Sequence, residues 1–243
     1  MPLTTLVGVA VEAQRPERAL AVYAHPDDPE VSCGGTLARW SSEGSEILLV
    51  ICTAGEKGSS DPATDPGDLA ARRAAEVAAA VETMGLAGWE ALGHPDGELE
   101  NTVELRSRIV GLIRRHRPDV VVCPDPTAVF FGSGYVNHHD HRSVGFATLD
   151  AVAPAASSPL YHPEAGPAHV VSQLYLSGTL EPDTWVDVGD HLDTKIAALR
   201  CHESQIAGRA PVIEEAVRRR AEDSGRQAGV GYAEGFRRLT LAG

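Results

Sequence analysis

The chain has 243 residues, room for one large domain at roughly 100 to 200 residues each, and its 43% hydrophobic and 23% charged residues describe an ordinary folded protein rather than a disordered or collagen-like one. A formal net charge of −13 argues against a nucleic-acid or anionic-membrane partner, since both need a basic surface. Four scattered cysteines, Cys33, Cys52, Cys123 and Cys201, form no C-x-x-C pair and read as reduced thiols; with no basic leader region and no apolar span long enough to cross a bilayer, the expectation is a cytoplasmic chain.

In chain order, β-branched apolar runs alternate with Ala- and Arg-rich amphipathic stretches. A strand over 19–24 leads through AHPDDPE to a helix over 31–42. A strand over 46–53 precedes a Gly-, Pro-, Ser- and Asp-rich loop over 55–67 and a helix over 68–84, which stops at Met84-Gly85. A strand over 89–92 leads through HPDG to a helix over 103–117, ended by Pro118. A strand over 119–124 is followed by a second polar loop over 126–137 and a helix over 141–152. Strands over 170–176 and 185–188 and helices over 190–202 and 212–226 complete the chain. This βαβ order predicts an α/β fold, a mostly parallel central sheet covered by helices, in a single domain over 1–243. In such a sheet ligands bind beyond the carboxyl ends of the strands, which directs attention to the loops there.

Two segments at strand ends hold more than structure requires. In Ala24-His25-Pro26-Asp27-Asp28-Pro29-Glu30, Asp28 suits a helix cap, Pro29 a first helical position and Glu30 a first turn. That leaves unexplained a histidine at the strand end followed by two adjacent carboxylates, which repel each other unless a cation or a shared proton relieves them. In Asn137-His138-His139-Asp140-His141-Arg142, three imidazoles and a carboxylate fall within four residues; a solvated polar loop is the plain alternative to a metal site. Together the segments offer two nitrogen ligands, an oxygen ligand and a spare carboxylate on one sheet edge. Three protein ligands with an open position is the arrangement of a catalytic zinc site.

With these residues in view, the chain resembles the LmbE-like, or PIG-L, metal-dependent N-deacetylases. The likeness runs from AHPDDPE through TAGEKG, RRAAEVAAAVETMGL, HPDGEL, RRHRPDVVVCPDP, NHHDHRSVGFATLDAV and DTKIAALRCHESQ to YAEGFRR. It implies a Rossmann-like three-layer sandwich with His25, Asp28 and His141 on the metal, Asp27 as general base, His138 polarising or protonating the substrate and Asp140 orienting His138. Arg73 and Asp96 match residues that contact sugar hydroxyls in similar proteins. Pro29 intervenes before Glu30, whose role is left open, and His139 stands where the family often has proline.

The chemistry also follows from the residues. A metal held by neutral imidazoles and one carboxylate stays positive, acidifies a bound water and polarises a carbonyl. Asp27 can take the water's proton; His138, kept cationic by Asp140, can stabilise the oxyanion; either can protonate the leaving amine. Arg73 reads equally as an ion pair with Glu76, Asp96 as a turn residue before Gly97, and Glu56 as part of a loop able to close over the site. His94, His162, His169, His191 and His202 lie outside any ligand-like cluster, and Arg218-Arg219-Arg220 reads as a solvated helix face.

The expected activity is zinc-dependent removal of an N-acetyl group from a small GlcNAc-type glycoside or conjugate, with Fe2+ or Co2+ also compatible with the ligands. A homo-oligomer is left open. The alternatives are an amidase of mycothiol-type thiol conjugates, a sugar-binding module without turnover, against which the spare Asp27 counts, and a phosphoester hydrolase, against which the charge and the missing P-loop count.

Overall fold

The computed structural model describes residues 10–241; the start of the short apolar N-terminal run falls outside them. The strands are β1 (Ala10–Glu12), β2 (Arg18–Tyr23), β3 (Glu46–Thr53), β4 (Gly88–His94), β5 (Val120–Pro124), β6 (Phe130–Phe131), β7 (Tyr135–Val136), β8 (Gln173–Ser177), β9 (Thr184–Asp187) and β10 (Ala233–Thr240). The helices are α1 (Asp28–Ser42), α2 (Pro66–Met84), α3 (Val103–His116), α4 (His139–Asp150), α5 (Leu192–Arg200), α6 (Glu203–Ile206) and α7 (Ala210–Ala228).

Eight strands form one sheet in the order β1-β9-β10-β8-β5-β2-β3-β4, parallel except for β10, which runs antiparallel to both β8 and β9. Alternation along the buried strands makes three layers. Leu20, Val22, Val50, Cys52, Val121 and Cys123 face one way, into a core with Leu105 and Ile109 of α3 and Val144 and Ala147 of α4. Their neighbours Ala19, Ala21, Tyr23, Leu49, Ile51 and Val122 face the other way, against Leu37 and Trp40 of α1, Val77 and Ala80 of α2 and Ala198 of α5. Burial on both faces is why these strands read as unbroken apolar runs.

The mostly parallel sheet and its helical layers agree with the expected architecture, and several boundaries shift. The helix expected over 31–42 starts at Asp28, and the one expected over 190–202 breaks into a 3-10 turn (Gly189–His191), α5 and, beyond Cys201 and His202, α6. The loop over 126–137 contains the small β6–β7 hairpin. β1 and β10 were not expected: β10, AEGFRRLT, has little apolar alternation because its buried residues are Ala233, Phe236 and the charged Glu234, and it is paired on both edges.

Position follows from topology. From β2 the chain moves outward through β3 to β4, then α3 carries it back to β5 on the other flank of β2. The strand order reverses between β2 and β5, and the crevice outside their carboxyl ends is where such a sheet takes a ligand. α4 packs tightly enough against β5 that a methyl group on Gly145 would stand 2.6 Å from the Pro124 carbonyl oxygen and 3.0 Å from the Pro126 ring. Gly145→Ala should therefore push α4 off the sheet. At an overpacking cost of roughly 1–3 kcal/mol, melting should fall by about 2–12 °C in a scanning calorimeter; an unchanged midpoint would show that the packing is looser than described.

Candidate metal centre and active site

Four residues join β2 to α1, so the turn is tight and its side chains have little freedom. Asp27 is the residue before the helix, and its side chain makes no capping bond; Pro29 lies in the first turn. The capping role expected of Asp28 is not what the structure shows. Asp28 is the first helical residue, and its Oδ2 accepts the His25 main-chain N–H at 2.8 Å, which holds the carboxylate back across the turn. On the facing side, His138 is the cap of α4, its Nδ1 accepting the Asp140 N–H at 3.2 Å, and His141 follows within the first turn.

These elements bring His25 Nδ1, His141 Nε2 and the Asp28 carboxylate to one point. The nitrogens are 3.1 Å apart, Asp28 Oδ1 is 3.0 Å from His141 Nε2, and Asp28 Oδ2 is 3.4 Å from His25 Nδ1. A tetrahedral site with bonds of about 2.0 to 2.1 Å has ligand-to-ligand edges of about 3.3 Å. The proton positions agree with that spacing. His141 Nδ1 lies 2.9 Å from Asn137 Oδ1, an acceptor only, because the Asn137 amide nitrogen donates to the Ala128 carbonyl; His141 Nδ1 therefore carries the proton and Nε2 the lone pair. His25 Nε2 faces Asp96 Oδ1 at 3.1 Å and Asp140 Oδ2 at 3.4 Å, which fixes its proton on that side. In the neutral rings two lone pairs thus meet at 3.1 Å beside a carboxylate, an arrangement that fits a cation.

The electrostatics state the same demand. Burial pulls His25 down, but Asp28, Asp140 and Asp96 outweigh it and carry its pKa up to about 12. Asp28 is held well below the carboxylate range, against burial, by His141 and His25. The carboxylates around His25 create a field that a positive charge relieves, whether a proton or a metal ion.

The remaining residues take up partly different positions from those expected. Arg73 makes no pair with Glu76, whose partner is Arg72; Arg73 is buried at 3% exposure and donates to Asp27 Oδ1 at 2.6 Å and to the Gly55 carbonyl at 2.9 Å. It is therefore a clamp on Asp27. Gly55, at φ +65°, is needed here: a Cβ would stand 2.1 Å from the Arg73 guanidinium. Asp96 turns its carboxylate to His25 and to the Lys57 N–H, and Glu56 accepts the Asp96 N–H at 2.8 Å, so both brace His25.

Asp140 differs too. Its carboxylate accepts the Gly97 and Leu99 N–H groups at 2.7 and 3.1 Å and reaches toward His25, while only its main chain bonds His138. Burial and His25 push His138 below its ordinary value, against the pull of Asp140, and because Nδ1 accepts the Asp140 N–H the ring's N–H lies on Nε2. His139 turns away, its Nε2 3.4 Å from the Ser143 hydroxyl. Glu30 is buried with His202, 3.2 Å apart, and joins α1 to the start of α6.

A cleft of about 500 Å³ opens beside this cluster, lined by Asp27, Lys57, Arg73, Asp96, His138 and Gln205 among others. Lys57 and Gln205 were not singled out from sequence. Gln205 sits in CHESQ, far along the chain, and α6 delivers it to the cleft by bonding Ser204 to Glu76 of α2.

Fold and site together define a metal-dependent hydrolase of the α/β class. Residues 20–152 match the model of the PIG-L family, GlcNAc-PI de-N-acetylase, and the chain belongs to that family. It is 32% identical over 225 residues to the diacetylchitobiose deacetylase of Thermococcus kodakarensis, covering 91% of this chain and 82% of the relative. It is also 32% identical over 236 residues to the 1D-myo-inositol 2-acetamido-2-deoxy-alpha-D-glucopyranoside deacetylase of Mycobacteroides abscessus, covering 78% and 81% respectively. The solved N,N'-diacetylchitobiose deacetylase of Pyrococcus horikoshii superposes with a TM-score of 0.86 at 30% identity, covering 93% of this chain and 84% of that one.

Asp96, Asn137 and Asp140 support the two imidazoles, and losing such support usually costs 10- to 100-fold in metal affinity. Asp96→Asn, Asn137→Ala and Asp140→Asn should each weaken metal binding by roughly that factor in a chelator competition. Equal affinity in all three would mean that the imidazoles are oriented by something else.

Proposed function

We propose that the chain is a zinc-dependent hydrolase that removes the N-acetyl group of a small amino sugar, a GlcNAc-type glycoside or conjugate, in the cytoplasm. The observation that carries this reading is the pairing of a three-residue cation site with an unligated carboxylate, Asp27, clamped by Arg73 within the same cleft. Both deacetylase relatives act, by name, on acetylated amino sugars. Three buried cysteines and one half-buried one, all free, and the lack of any described helix able to cross a membrane are consistent with that compartment.

His25, Asp28 and His141 would hold the ion, which supplies Lewis acidity to the amide carbonyl and acidifies a water. The protein's own groups do the rest. Arg73 fixes one oxygen of Asp27 and leaves the other to take the proton from the attacking water. His138, its Nδ1 committed to the α4 main chain, presents Nε2–H to the oxygen on which negative charge develops. Asp27, once protonated, can return that proton to the departing amine. Lys57 and Gln205 line the cleft where sugar hydroxyls need partners.

Alanine at His25, Asp28 or His141 should leave the protein without a stoichiometric ion after dialysis, measured by elemental analysis; one ion per chain retained in all three would reject the ligand set. Asp27→Asn should keep the ion but lose roughly 100- to 10,000-fold in kcat, read as acetate and free amine released in equal amounts from N,N'-diacetylchitobiose and other GlcNAc conjugates. Arg73→Met should lower kcat with little change in metal content, because it frees Asp27 without touching a ligand. Near wild-type turnover in Asp27→Asn would remove the proposed base.

A further inference from the structure

A second cavity, of about 380 Å³, also meets the candidate centre. Asp28, His141 and Tyr135 line both, so the centre stands between them. The walls differ in kind. The polar cleft carries Asp27, Lys57, Arg73, Asp96 and His138, whereas the second cavity presents mostly apolar surface from Tyr23, Val31, Pro124 and Phe131, with Asp125, Asn137 and Arg220 also lining it, and contains neither Asp27 nor His138. Next to it lies a further space of about 360 Å³, walled by Leu180, Pro182, Val217 and Ala221 and also by Lys195 and Glu234; the two adjoin at Ser32, Phe131, Gly178 and Arg220.

Resting on the deacylase reading above, we infer that this second cavity is the acyl subsite and that the chain accepts N-acyl groups well beyond acetyl. The direction follows from the chemistry. Water adds to the carbonyl carbon, the C–N bond breaks, the acyl part leaves as a carboxylic acid and the nitrogen leaves as an amine after taking up a proton. That nitrogen must face Asp27 or His138, so it lies on the polar side. The acyl substituent, on the other side of the carbonyl carbon, is directed to the cavity without those groups. A methyl group is about the size of a water molecule, whose share of liquid volume is roughly 30 Å³. The cavity next to the centre is an order of magnitude larger, and its apolar walls gain from each methylene they cover.

The test is a series of glucosamine derivatives carrying acetyl, butanoyl, hexanoyl and octanoyl amides, hydrolysed by the metal-loaded protein, together with calorimetric binding of acetate and octanoate. At roughly two- to four-fold per buried methylene, kcat/KM for the hexanoyl amide should exceed that for acetyl at least tenfold, mainly through KM. Octanoate should bind at least tenfold more tightly than acetate. Ser32→Leu, whose larger side chain enters both spaces, should reduce both differences, read as the ratio of hexanoyl to acetyl kcat/KM and of octanoate to acetate affinity; should that variant not fold, the wild-type series decides. Activity that falls steadily from acetyl to hexanoyl, with octanoate binding no better than acetate, would overturn the acyl subsite and leave the deacetylase reading standing. No hydrolysis of any member, acetyl included, would overturn both.

Discussion

Around His25 the protein gathers three carboxylates, Asp28, Asp96 and Asp140, within 3.4 Å of one ring, and sets a second imidazole lone pair 3.1 Å from its own. Negative groups held so close in a buried place repel each other, and the folded state tolerates them only when positive charge is supplied. The two faces of the ring have separate tasks. Nε2 is tied by Asp96 and Asp140, which leaves Nδ1 to join Asp28 and His141. Much of the site can be understood as scaffolding for this one imidazole: Glu56 and Lys57 fix Asp96, and the Gly97 and Leu99 N–H groups fix Asp140.

The sheet makes that gathering possible. Parallel strands put all their carboxyl ends on one edge, and the reversal of strand order between β2 and β5 leaves room there for two helix starts to face each other. α1 brings Asp27 and Asp28, and α4 brings His138 and His141. Helix N-termini carry partial positive charge and favour the carboxylates of Asp28 and Asp140 in their first turns. Gly145, one turn beyond His141, lets α4 sit against β5, so the spacing of the two starts is set by backbone packing beside the cluster.

The surroundings of the centre are unequal, and the inequality gives a direction to any amide bound there. Asp27, Lys57, Arg73, Asp96 and His138 collect in one cavity, and mostly apolar walls form the other. Asp27 is kept apart from the cation site by Arg73, a buried guanidinium that reaches it from α2. An adjacent Asp-Asp pair thus divides into one residue facing the ligand cluster and one facing the cleft, although the two differ by a single position in sequence.

The sequence by itself determined the layers and the strand ends that matter. Unbroken apolar runs, buried on both faces, announce a parallel sheet, and His25, Asp27, Asp28, His138, Asp140 and His141 are chemically conspicuous because their charges and lone pairs have no use in so short a stretch otherwise. What it could not determine were contacts made by residues far apart in the chain. Arg73 reads as a partner of Glu76 at helical spacing, yet it serves Asp27, 46 positions away; Asp140 reads as the support of His138 two residues back, yet its carboxylate serves the loop after β4 and His25. β10 lacked an apolar pattern because much of what holds it is not apolar: it pairs on both edges, and the buried Glu234 bonds α1 and Lys195. Local patterns record what a residue does within its own helix or strand, whereas the partner of a charged side chain is chosen by whichever opposite charge the fold brings nearest. That choice belongs to the tertiary structure.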